Sequence, residues 1–177
     1  MAEYTKIYDP NLQARVRARY EEALARLLRL GFRRLEDCLE SLGPFSAVLQ
    51  LPVLLLTLPH REVLVIRRPL RLAVANALLS HDEPASIALC MGMGVKLYAS
   101  FADGTVLISS TFESDAVPAT TSSIVKPPPS TSIEEAWSSH RQAIRRLEAE
   151  GKSLDLRPSF ESYVALSHRE EDLSQYR

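Results

Sequence analysis

The stretch from Val95 to Phe112 constrains the fold more than any other, because its apolar residues alternate on both sides of Asp103-Gly104. Strict alternation is the period of a half-buried strand, and Asp-Gly is what a two-residue type I′ turn demands, since both of its central residues take φ > 0. A turn closed between Ala102 and Thr105 pairs Phe101 with Val106, Ala99 with Ile108, Leu97 with Ser110 and Val95 with Phe112, all on one face. The other face then carries Lys96, Tyr98, Ser100, Thr105, Ser109 and Thr111, with Leu107 as its single aliphatic. One side is expected to be packed and the other wet, as in a half-solvated antiparallel sheet.

Further strands are expected around this hairpin. Val63 to Ile66 is β-branched, and Leu72, Val74, Asn76 and Leu78 alternate within Leu70 to Leu79, so both segments read as strands. Ser80 to Pro84 reads as a turn into a strand over Ala85 to Met91, and Met91-Gly92-Met93-Gly94 as the bend into the secure hairpin. Arg33 to Gly43 follows a helix stop and reads as a short strand or irregular connection. Ala47 to Leu58 is almost wholly apolar but is too short for a membrane span and is broken by Pro52, so it reads as core, with a surface that dips into lipid or meets a partner protein as the alternative.

Two helices are expected to flank the sheet. Asn11 to Leu30 repeats Leu12, Val16, Tyr20, Ala23, Leu24, Leu27 and Leu28 near the 3.6 period, with Asp9-Pro10 as its start and Gly31 as its stop. Ser132-Ile133-Glu134-Glu135 matches a capping box and opens a helix to Glu150, stopped by Gly151. Its apolar stripe is Ile133, Ala136, Trp137, His140, Ala143, Ile144 and Leu147. Residues 113–131 form a Pro-, Ser- and Thr-rich loop in which Pro127-Pro128-Pro129 acts as a stiff spacer. A short helix is expected around Phe160, Tyr163, Val164 and Leu166, followed by a solvated, flexible tail over 168–177. The expected class is therefore α+β in one domain: an antiparallel meander of four to six strands, with an N-terminal and a C-terminal helix packed on one face.

At 177 residues the chain is long enough for a self-sufficient core, and 21 Lys and Arg against 22 Asp and Glu remove any whole-protein argument for a nucleic-acid binder. Cys38 and Cys90 stand alone in apolar surroundings and read as buried, reduced thiols. The polar, acidic start of the chain lacks the apolar segment of a secretory signal, so a cytoplasmic location is expected.

Motifs narrow the chemistry mainly by exclusion. The chain has no HExxH, no GxSxG and no glycine-rich turn opening a helix, so no metal, cofactor or nucleophilic triad is implied. His140 sits in the middle of an apolar stripe, where an imidazole paired with a carboxylate would titrate near physiological pH and suit a general base. Arg15, Arg19, Arg26 and Arg29 form a basic strip opposite the leucine face of the first helix, without the interleaved aromatics that nucleic acid would call for. Trp137 and Tyr98 complete the candidate binding residues. The leading reading is a non-catalytic binding or assembly module presenting a sheet and helix groove to a protein or small ligand. Two alternatives stay open: a small hydrolase or isomerase using His140 with a carboxylate, and a peripheral membrane protein using the arginine strip.

Overall fold

A computed structural model describes residues 3–42, 62–67, 70–91, 94–112 and 123–174. The apolar segment Ala47 to Leu58 and residues 113–122 of the expected loop lie outside the described residues. The first helix starts as its sequence indicates, with Pro10 in the first turn and the Asp9 carboxylate accepting from the Asn11 N–H at 2.9 Å. The expected single helix is two in succession, α1 (Pro10–Arg19) and α2 (Glu21–Arg29), joined at Tyr20. Hydrogen bonds run through the joint, from the Tyr20 N–H to Val16 O at 3.1 Å and from the Leu24 N–H to Tyr20 O at 2.8 Å. Tyr20 leaves helical geometry while its buried phenol donates to Ala75 O on the sheet at 2.6 Å. Gly31 ends α2 at φ +92°: its N–H reaches Leu28 O and that of Phe32 reaches Leu27 O, which is a Schellman closure. Tyr20→Phe removes a fully buried hydrogen bond without altering the ring, and is expected to cost about 1–2 kcal/mol, lowering Tm by about 3–6 °C. Thermal unfolding followed by circular dichroism checks this, and a Tm within about 1 °C of wild type would show that the phenol anchors nothing.

Among the described residues eight strands make one sheet: β1 (Glu3–Lys6), β2 (Arg33–Leu42), β3 (Glu62–Arg67), β4 (Leu70–Asp82), β5 (Ala85–Met91), β6 (Gly94–Ser100), β7 (Val106–Ser110) and β8 (Ile124–Val125). The α+β class is as expected, with more strands than the expected four to six. β1 is too short and charged to show a period, and β8 is two residues inside the Pro- and Ser-rich stretch. Neighbours run β1-β2-β4-β5-β6-β7-β8, antiparallel except for the parallel β7–β8 pair. β4 is the spine. β2 lines one of its edges, while on the other β3 pairs residues 70–75 and β5 pairs residues 77–82. Asn76 falls between these two ladders, fully buried, with its amide donating to Glu40 at 3.2 Å. The strand expected over Leu70 to Leu79 thus runs on to Asp82 and leaves only Glu83-Pro84 for the turn.

The hairpin is present, but its turn is one residue longer than expected. Ser100 pairs with Val106, Ala99 with Leu107, Tyr98 with Ile108 and Leu97 with Ser109, around a three-residue loop Ala102-Asp103-Gly104. Phe101 and Thr105 close it, with the Phe101 N–H on Thr105 O at 2.9 Å, and Gly104 takes φ +85° while Asp103 keeps an ordinary negative φ. This is the turn with a glycine bulge rather than type I′. Asp103 favours it by accepting from both the backbone N–H and the hydroxyl of Thr105, and Lys152 pairs with the same carboxylate. A shift of one residue changes which side chains meet across the strands. Leu97, Ala99, Leu107 and Ser109 now share a face, and Tyr98, Val106 and Ile108 the other.

Neither face is wet. α3 (Ile133–Ala149) lies with α1 and α2 over the first, where Val16, Leu24, Leu27 and Trp137 pack on Ala75, Leu79, Ala88 and Leu97. Its start is capped as expected, with Ser132 Oγ accepting from the Glu135 N–H at 3.1 Å, and its whole predicted stripe is buried. The face expected to be solvated is covered by α4 (Phe160–Ser174), whose Tyr163 and Leu166 pack on Tyr98, Val106 and Ile108. Residues 168–174, expected to belong to a flexible tail, complete α4, because Glu170 is drawn into an ion cluster on the sheet.

Candidate functional site

Two segments that are far from obvious partners in sequence form a cleft of about 540 Å³. One wall is Val125, Lys126, Pro127 and Pro128; the other is the flank of α3 carrying Ser139, Gln142, Ala143 and Arg146. The α3 residues are spaced i, i+3, i+4 and i+7, which places them on one stripe of the helix. The proline wall is held at both ends. Val125 pairs with Leu107 in β7, and the Ser130 N–H donates to Ser110 O at 2.9 Å just before the α3 cap. Between these anchors the prolines fix their own φ, so the wall is stiff.

Lys126 is held from behind. Its ammonium donates to Glu170 Oε1 at 2.8 Å, and the same carboxylate accepts from Lys96 at 3.2 Å and from the Tyr98 hydroxyl at 3.1 Å. Burial works to raise the Glu170 carboxyl, and the two ammonium groups outweigh it, so its pKa lies below the ordinary value. Tyr98 is buried in this cluster, and burial together with the Glu170 charge holds its phenol well above the usual range. Its hydroxyl ties α4 to the sheet through Glu170.

His140 is fully buried between α3 and β7, with Nδ1 2.9 Å from the Ser109 hydroxyl and Nε2 without a partner among the described residues. The carboxylate that a general base would need is replaced by that serine, and burial lowers the imidazole pKa to about 3. A neutral, sealed ring has neither the proton affinity nor the access for acid–base work. Trp137 stacks beside it at 5.9 Å and meets Phe32 edge-on at 4.8 Å and the half-buried His81 at 4.7 Å, and Trp137, Phe32 and His140 are buried.

The Tyr20 joint divides the arginine strip, leaving Arg15 and Arg19 on α1 and Arg26 and Arg29 on α2. Arg26 crosses to α3, with Nε 3.1 Å from Glu134, and also faces Glu22 at 3.8 Å. Beside the strip a shallow apolar hollow of about 240 Å³ is lined by Leu24, Ala25, Leu79 and the half-exposed Leu28. Among the described residues no cluster of His, Cys, Asp and Glu has metal-holding geometry, and no helix is long and apolar enough to cross a membrane. Burial raises both cysteine thiols, that of Cys90 to about 12, so neither is a ready nucleophile.

Compared with protein-family models, curated proteins and solved structures, the chain finds no match. Its site is therefore read from its own chemistry. None of the cleft residues was a candidate from sequence. The triple proline reads as a spacer, and Ser139, Gln142 and Arg146 lie outside the apolar stripe that the sequence picks out on this helix. The available signal was a polar stripe on a helix that closely follows a stiff, basic-headed proline run, and only the fold shows that the two lie opposite each other.

Proposed function

We propose that this chain is a non-catalytic binding module that holds a small ligand in the cleft between α3 and the proline wall. The observation that carries the reading is the cleft itself: about 540 Å³, within the roughly 300–1,000 Å³ of small-molecule sites. Apolar surface from Val125, Pro127, Pro128 and Ala143 is combined with a few polar groups from Lys126, Ser139, Gln142 and Arg146, the mixture such sites use for burial and orientation. Both walls are anchored before any ligand arrives, which reduces the ordering cost of binding. The sealed imidazole supports binding over turnover, since it leaves His140 a packing role. Two unpaired, buried cysteines support a reducing compartment, the cytoplasm, as the place where the module works.

Amide chemical shifts recorded against a library of small soluble compounds test the proposal. Hits are expected to perturb residues 123–130 and 139–146 together, and Ser139→Phe, which fills the cleft from the helix side, is expected to abolish them while leaving Tm near wild type. Hits that map elsewhere, or that survive Ser139→Phe unchanged, would overturn it.

A further inference from the structure

We infer that the ligand of this cleft is an organic anion, whose carboxylate or phosphate sits by Lys126 and Arg146 and whose apolar body lies on the prolines. The inference rests on the cleft being a ligand site and adds the charge of what fills it. Two of its lining residues are cationic, and none of those described is acidic. A concave site lined by one sign of charge between low-dielectric walls focuses the field and attracts the opposite charge.

The two cations are prepared for this in different ways. Lys126 is only 15% exposed, so its charge is poorly screened, and Glu170 takes one of its three N–H donors. That carboxylate is shared with Lys96 and the Tyr98 hydroxyl, so it positions Lys126 without being its exclusive counter-charge. Arg146 stands on the opposite wall with its side chain 64% exposed, and its contact with Glu150 is a 3.7 Å ion pair between exposed groups. Such a pair yields readily to a better acceptor, and the guanidinium fork matches a carboxylate or phosphate with two parallel hydrogen bonds. Ser139 and Gln142 add neutral donors on the same helix stripe. Pro127, Pro128, Val125 and Ala143 offer nothing polar from their side chains and suit a hydrocarbon or aromatic body.

Four probes decide it by calorimetry at low salt: benzoate, phenyl phosphate, the neutral benzamide and inorganic phosphate. Benzoate, phenyl phosphate or both are expected to bind at least about tenfold more tightly than benzamide, a gap that added salt narrows. Preference between the two names the head group, and weak binding by inorganic phosphate shows that the body contributes. Arg146→Gln lies on an exposed helix flank where folding is safe, and is expected to weaken the anions about tenfold and benzamide by much less, with Arg146→Lys in between. Benzamide binding as well as benzoate and phenyl phosphate, or Arg146→Gln binding both anions like wild type, would overturn the anion and leave the cleft standing. Silence from all four probes, with no compound shifting residues 123–130 and 139–146, would remove both.

Discussion

Trp137→Ala is expected to lower stability by about 3–5 kcal/mol and Tm by roughly 10–15 °C. Trp137 is 3% exposed and is the one tryptophan in the chain. It wedges between three other rings: Phe32 at the end of α2, His81 near the end of β4 and His140 one turn along its own helix. The Arg141 guanidinium lies 5.6 Å from its centroid and adds a cation–π contact. Truncation opens a cavity where α2, α3 and the spine strand meet, and rigid secondary structure on every side limits collapse. Trp137→Phe keeps a ring and is expected to recover most of the loss. Urea and thermal unfolding followed by circular dichroism give both values. A Trp137→Ala protein within about 3 °C of wild type would mean that α3 does not depend on this cluster to dock.

The second large effect is on pH. His140 has a folded pKa lowered by burial to about 3, from an ordinary 6.5. Between those values the unfolded chain binds a proton that the folded protein refuses, so stability is fully present above about pH 6.5 and is lost as pH falls toward 3. The full difference is on the order of 5 kcal/mol at 1.36 kcal/mol per unit. Glu135, Glu161 and Glu170 have lowered pKa values and withdraw stability only as pH falls below their ordinary 4.5. Between pH 6.5 and 4.5 wild type is expected to lose about 2–3 kcal/mol through His140, and His140→Gln, which keeps every other titrating group, much less, so the difference between the two proteins isolates this ring. Urea midpoints at both ends of the interval measure the loss. Direct titration of the imidazole by NMR is the stricter check, because a ring that takes up its proton above about pH 6 would not be sealed.

Much of the architecture is legible in the residues alone. Glycines at 31 and 151 stop helices, the α3 stripe is buried residue for residue, and the strand over Leu70 to Leu79 overrides its helix-forming alanines and leucines. What misleads is local ambiguity settled by distant partners. Asp103-Gly104 suits either of two turns, and the choice falls with Lys152, 49 positions away, holding the Asp103 carboxylate. That one-residue difference, with the longer last helix, turns the expected wet face into a second core. The Tyr20 joint is invisible because the apolar period runs straight through it, and only Ala75, 55 positions on, gives the phenol its reason to bend the chain. Glu170 hides within an acidic run that looks solvated until Lys96 and Lys126 are seen beneath it. The cleft is the extreme case, since neither wall has a distinguishing composition and their juxtaposition exists only in three dimensions.

The spine strand carries one last implication. At Asn76 β4 changes partners on one edge, from β3 to β5, without itself being interrupted. The two ladders on that edge share β4 but no residue pair, so opening of the β3 ladder breaks no hydrogen bond of the β5 ladder, while β2 spans both on the other edge. Amide protons of β4 that face β3 are then expected to exchange faster than those that face β5, with the border at this asparagine, while those that face β2 form one protected class along the strand.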